Sequence, residues 1–227
     1  MFSVHTILFH KDEIKTWVTN EPTIVSRWIR KVEHLHRRKL RRLIVGLDTE
    51  WRPSSKAGSD FHKVATLQLC VGHRCLIFQL LHARYIPESL FVFLANVNYT
   101  FVGVGVDEDA RKLTKDYGLD VSCTIDIRGL ASKRLRNDLW GYMGLKKLSK
   151  GILCKELEKP KEITLSRWDN KALTDRQIEY GCLDAFVSFE LGRVLRASSV
   201  NRVFDGWRVR IDEDFLFNEK FSSFCDL

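Results

Sequence analysis

The residues with the most chemistry to offer are acids, and they fall in three separate stretches. The first is LIVGLDTEW, residues 43–51. An apolar run too short for a helix leads to Asp48, and Glu50 follows two positions later. On a strand, alternate side chains share a face, so both carboxylates point to one side, about 7 Å apart at their α-carbons. Two acids on one face repel each other and call for a compensating charge, for which a divalent cation is suitable. A solvated turn after the strand accounts for the pair equally well. The second stretch, FVGVGVDEDARK, sets Asp107, Glu108 and Asp109 at a helix start. The helix dipole favours acids there without any further role. Gly103 and Gly105 do not make a dinucleotide fingerprint, because Glu108 stands where the third glycine is required. The third stretch is RQIEYGCLDAFVSFELG, where Tyr180 and Asp184 are four apart and therefore share one helix face. Val187 and Leu191 continue that face, so Asp184 lies in a core-facing stripe and needs a partner or a cation. Together, an Asp-x-Glu, a later Asp and a Tyr-x-x-x-Asp supply oxygens for two hard divalent ions. Such a pair can activate water and stabilise the leaving oxygen of a phosphodiester. Mg²⁺ or Mn²⁺ suits these ligands, and no His/Cys set is spaced for zinc. Tyr180 is placed to orient the attacking water.

The elements that must position these groups are legible from pattern. Residues 4–9 and 14–19 read as an edge hairpin. Pro22 opens a helix with Val25, Trp28, Ile29, Val32 and Leu35 on one face. Residues 43–51 read as a buried strand, followed by antiparallel partners at 64–71 and 74–80. A helix over 87–96 with Leu90, Phe91 and Leu94 inward, a strand over 100–104, a helix from about Asp107 and a strand over 119–125 come next. A short helix spans 145–153, and 155–173 is a polar, irregular connection carrying Trp168. Thr174 begins a long helix to about residue 197 through a capping box with Gln177. A strand at 207–211 and an apolar end at 215–224 close the chain. Hairpin strands followed by alternating strands and helices predict an α/β fold with a mixed sheet.

Composition narrows the classes. The chain has 227 residues, 44% hydrophobic, enough for one good core. The net charge of +8 suits a polyanionic partner. Between Arg27 and Arg42, eight Lys or Arg face one Glu. That run, including HRRKLRR, reads as a solvated helix face, a phosphate-contacting patch or a nuclear address. The six cysteines have no CxxC spacing and suit buried free thiols in a reducing compartment, without zinc. No signal-peptide pattern opens the chain, and no apolar run approaches the ~20 residues of a membrane span. The expected setting is the nucleus or cytoplasm, away from the membrane.

The stretches GLDTEW, ATLQLC, FVGVGVDEDARKL and LTDRQIEYGCLDAFVSFELG, in this order, resemble DEDD-superfamily 3′→5′ exonucleases. The resemblance is strongest to the group formed by the Werner syndrome protein exonuclease domain and its stand-alone plant relatives. It extends over about residues 43–196, including GLKKLSKGILCKEL and the Trp168 segment. It implies an RNase H-like (ribonuclease H-like) sheet flanked by helices, and two divalent ions, Mg²⁺ or Mn²⁺. The implied metal carboxylates are Asp48, Glu50, Asp109 and Asp184, with Asp109 chosen among residues 107–109 by the family pattern alone. Tyr180 matches the catalytic tyrosine, and Glu179 stands where a histidine subclass would carry its His, so the tyrosine subclass is implied. Leu47, Thr49 and Trp51 match positions that meet the terminal nucleotide. The implied activity is removal of nucleoside 5′-monophosphates from a nucleic-acid 3′ end. Residues 1–42 are expected to join the same fold, 43–197 to form the exonuclease domain and 198–227 an extension. The hairpin and the apolar tail are candidate contacts in a homo-oligomer. Two alternatives stay open: a 3′→5′ exoribonuclease acting on RNA or small RNAs, and a nucleic-acid-binding relative that does not cleave.

Overall fold

In a computed structural model, residues 1–53 and 62–197 are described. The strands are β1 (Phe2–Phe9), β2 (Asp12–Thr19), β3 (Leu43–Glu50), β4 (Thr66–Val71), β5 (Arg74–Phe78), β6 (Tyr99–Gly103) and β7 (Thr124–Asp126). The helices are α1 (Pro22–Leu35), α2 (Glu88–Leu94), α3 (Val106–Tyr117), α4 (Ile127–Leu135), α5 (Leu145–Leu153), α6 (Lys161–Thr164) and α7 (Asp175–Val194). The strands form one mixed sheet in the order β1-β2-β5-β4-β3-β6-β7. β3 lies inside it, antiparallel to β4 and parallel to β6. Its apolar run is continuous because both faces of the sheet are covered.

Alternation along β3 sorts its side chains between two layers. Val45 shares a face with its partner Phe101, which meets Phe93 of α2 at 6.0 Å, and Phe93 in turn meets Trp28 of α1 at 6.3 Å. Burying each of these rings contributes about 2–3 kcal/mol relative to exposure. Gly46 and its partner Val102 face the other way, against α7. A Cβ on Gly46 would sit 1.9 Å from the Ala185 carbonyl oxygen and 2.8 Å from the Phe189 nitrogen. Only glycine permits that approach, and it sets α7 directly across β3. The helix starts where the sequence placed it: Thr174 accepts from the Gln177 amide while the Gln177 side chain accepts from the Thr174 amide.

Most expected elements are present, with specific corrections. Leu35, the last residue of α1, is exposed. In α2 it is Phe93, not Phe91, that joins Leu90 and Leu94 in the core. β4 begins only at Thr66, and β7 is three residues long because Leu119 is taken up closing α3 beyond Gly118, which is left-handed. Helix α4 was not expected. It has a weakly amphipathic sequence, but Asp126 caps it by accepting from the Arg128 amide at 2.8 Å. Trp168 is fully buried, although its segment is largely polar. Cys70, Cys75 and Cys182 are buried as expected, whereas Cys154 is exposed. α7 ends at Val194, and the strand and apolar end expected beyond residue 206 lie outside the described residues. Among the described residues, no helix is long and apolar enough to cross a membrane.

Candidate active site

β3 carries Asp48 and Glu50 on the face that Gly46 presents to α7. Asp184 precedes Ala185, the residue against which Gly46 packs, so the close helix–strand contact delivers its carboxylate to the end of β3. The result is a cluster in which Asp48, Glu50 and Asp184 each place one carboxylate oxygen within 4.8 Å of the others. Asp109 arrives from the opposite layer. Thr49 points to that side and its hydroxyl donates to Asp109 Oδ1 at 2.6 Å. Asp109 sits in the first turn of α3, where Gly105 adopts a left-handed φ of 81° and donates its N–H to Asp126. Thus four acids come from three elements, and Asp109 stands beside the triad rather than within it.

Electrostatics explains what this arrangement needs. Burial, then the charges of Asp184, Glu50 and Asp109, push the Asp48 carboxyl well above the ordinary carboxylate range. Burial and Asp184 push Glu50 up to about 9. Asp109 is raised to about 7, chiefly by burial, with the Thr49 hydrogen bond opposing. Asp184 is also raised by burial, against the pull of Lys159. Asp48 Oδ2 is buried without a hydrogen-bond partner. A partly buried all-oxygen donor set with a buried, unpartnered carboxylate atom fits a hard divalent cation.

Two neighbours were not singled out in the sequence. Lys159 donates to Asp184 Oδ2 at 2.6 Å and lies 5.0 Å from the centre of the Tyr180 ring. Burial acts against its charge, but Asp184 and Asp48 outweigh it and hold the ammonium above its usual range. Its signal in the sequence was a lysine in a polar connection, which is indistinguishable from a solvated one. Gln68 is the cross-strand partner of Asp48; it is buried, donates to Thr66 and leaves Oε1 without a partner. Tyr180 packs against Trp168 with ring centres 5.9 Å apart, and its oxygen accepts from Thr164 at 3.0 Å. Burial, then Asp184, push its hydroxyl up to about 12. Of the three residues expected to meet a nucleotide, Leu47 and Thr49 are buried and only Trp51 is exposed. Lys112 lies 5.2 Å from the Trp51 ring.

A mixed α/β sheet with an acidic, cation-seeking centre at the end of an inner strand is the architecture of an RNase H-like nuclease. Residues 16–198 match the 3′-5′ exonuclease domain family, and the chain belongs to that family. It is 38% identical over 154 residues to a 3′-5′ exonuclease of Arabidopsis thaliana, covering 67% of this chain and 52% of that protein. It is 33% identical over 145 residues to the bifunctional 3′-5′ exonuclease/ATP-dependent helicase WRN of Mus musculus, covering 63% of this chain and 10% of that one. The chain therefore spans about half or less of the length of these relatives. The fold resembles that of Escherichia coli RNase D, with a TM-score of 0.63 and 19% identity, over 81% of this chain and 44% of that one.

Proposed function

We propose that the chain is a metal-dependent 3′→5′ exonuclease of the tyrosine subclass that releases nucleoside 5′-monophosphates. The observation that carries this reading is the convergence of the Asp48, Glu50 and Asp184 oxygens within 4.8 Å, with Asp48 Oδ2 unpartnered. Asp48, Glu50 and Asp184 would hold one Mg²⁺ or Mn²⁺ ion, and Asp48 with Asp109 a second. When bound, such ions activate a water and stabilise the leaving oxygen of a phosphodiester.

The chain's own groups have defined tasks. Tyr180, with a hydroxyl raised to about 12, keeps its proton at neutral pH. It therefore orients the attacking water rather than deprotonating it. Thr164 donates to the Tyr180 oxygen and Trp168 backs the ring, which fixes the hydroxyl's direction. Thr49 holds Asp109 toward the cluster. Leu47 and Thr49 shape the floor, and the exposed Trp51 ring is the surface on which the terminal base stacks. Residues 1–42 complete the sheet of the same domain, 43–197 carry the site, and 198–227 are an extension. Nucleus or cytoplasm is the expected setting.

A panel of matched DNA and RNA oligonucleotides, single-stranded and 3′-recessed, with Mg²⁺, Mn²⁺ or chelator tests the activity and the sugar preference together. Asp48→Ala is expected to fold normally, since it removes a carboxylate held under repulsion, and to lose metal-dependent nucleotide release. Wild-type rates in that variant would overturn the site assignment. Strand binding by the wild-type chain with no release in either metal would favour a non-cleaving relative.

A further inference from the structure

The basic run of residues 34–42 is not absorbed by the active site, and the fold sends it elsewhere. Strand registers fix the direction. Glu50 pairs with Thr66 at one end of β4, while Val71, at the other end, pairs with Arg74, which in turn pairs with Lys15. The carboxylate cluster and the Lys15/Arg74 pair therefore occupy opposite ends of the sheet. Thr66 and Val71 are five residue steps apart along β4, so the two ends lie roughly 17 Å apart along the strands at about 3.3 Å per residue.

At the far end is an open cleft of about 450 Å³ lined by Lys15 and Arg74 from the sheet and His36 from the end of α1. His36 also lines an adjoining cleft of about 440 Å³ with Arg37, Arg38 and Lys39. The one acid in either lining is Glu13. His36 shares the first lining with Arg74 and the second with Lys39, and burial, then those two cations, depress its imidazole. Among the described residues, none of Lys15, Arg37, Arg38, Lys39 and Arg74 takes part in an ion pair. Stabilising the C-terminus of α1 accounts for Arg37, whose guanidinium donates to the His34 carbonyl. It does not account for Arg38 and Lys39 beyond the helix, nor for Lys15 and Arg74 on separate strands.

The geometry points to a second nucleic-acid contact here: a phosphate-backbone anchor at the end of the sheet remote from the carboxylates. It holds a strand whose 3′ end is at the active site, and so it rests on the exonuclease reading for its partner. The cleft is polar and open; its His73 pairs with Asp12, but Lys15 and Arg74 are left without an ion pair, which suits a run of phosphates with no base selection. At about 3.4 Å per nucleotide, a stacked strand needs roughly five nucleotides to span that distance. A strand of about four nucleotides reaches only one.

The test measures binding of labelled single strands of about 20 and about four nucleotides by fluorescence anisotropy, in chelator, from about 50 to about 200 mM salt. Two pairs, exposed but for the half-buried Arg74, are changed separately and together: Arg38→Gln/Lys39→Gln, and Lys15→Gln/Arg74→Gln. Each pair is expected to lower the salt slope of log affinity for the longer strand by about 1.4, and both together by about 2.8. Affinity for the short strand, and its rate of hydrolysis with Mn²⁺, stay at wild-type values. An unchanged slope in either pair overturns the anchor, as does an equal loss of affinity for the short strand. A melting temperature matching wild type certifies each variant as folded. The binding data need no turnover, so a wild-type chain that releases no nucleotide would sink the exonuclease reading separately.

Discussion

Lys159→Met separates the physics of the site from its chemistry. The ammonium sits 2.6 Å from Asp184 Oδ2, with its side chain 28% exposed and that of Asp184 4% exposed. Removing one partner of a largely buried pair costs about 3–5 kcal/mol when the remaining charge stays ionised. Asp184 has an escape, because it can take up a proton. The cost of that uptake grows by about 1.4 kcal/mol per pH unit above the ordinary value of 3.8. Proton uptake therefore caps the penalty at about 1.6 kcal/mol near pH 5, whereas near pH 8 the cap exceeds the pair energy and the full about 3–5 kcal/mol is felt. A domain of this size loses about 2–4 °C of melting temperature per kcal/mol, so the variant should melt roughly 6–20 °C below wild type at pH 8 in chelator, and only a few degrees below at pH 5. Saturating Mn²⁺ replaces the lost positive charge and should close most of the gap. Its apparent affinity should be tighter in the variant, because no ammonium competes for Asp184. Scanning calorimetry in chelator and in Mn²⁺ at both pH values measures all of this. Equal melting of the two proteins in chelator at pH 8, or an identical Mn²⁺ response, would refute the role of Lys159 as the resident counter-charge.

Wild type in chelator should lose stability as pH rises, with the sign set by carboxyls that bind protons more tightly folded than unfolded. Glu50, raised to about 9, and Asp109, raised to about 7, are neutral in the fold at pH 4 and lose that advantage as pH climbs from their ordinary values through the raised ones. Melting temperatures in chelator at pH 5 and pH 8 check it, and a higher value at pH 8 counts against the buried cluster. Gly46→Ala should cost about 3 kcal/mol, because its Cβ would meet the Ala185 carbonyl oxygen at 1.9 Å and no rotamer can relieve a backbone clash. Urea denaturation reads the loss, and Mn²⁺ titration should show weaker binding as α7 shifts. Gly129→Ala in α4, where the added Cβ meets nothing within 4 Å, should gain about 0.5–1 kcal/mol and serves as the control.

Local chemistry was readable along the chain. The capping box at Thr174, Pro22 at the start of α1, the unbroken apolar run of β3 and the hairpin turns are short-range signals, and the elements formed where those signals lie. Asp48 and Glu50 shared a face by strand alternation alone. Helix α4 escaped notice because its apolar residues carry little periodicity and its cap, Asp126, also ends a three-residue strand. Leu35 and Phe91 are exposed although their stripes predict burial, because a stripe gives a direction around the helix and not how far the neighbouring layer extends beneath it.

The meeting of the acids is different in kind. Asp184 reaches Asp48 only because Gly46 lets a helix starting about 130 residues later lie against β3, and that is a packing contact with no local trace. The same holds for Asp109, which approaches from the other layer on the Thr49 hydroxyl, and for Lys159, whose partner is 25 residues away. Which residues have oxygens to offer, and which face of its own element each takes, can be read along the chain, because backbone periodicity is a local property. Which of those faces meet, how strongly the carboxylates repel, and that the basic run lies at the far end of the sheet emerge only from the packed fold, because these follow from burial and distance across elements.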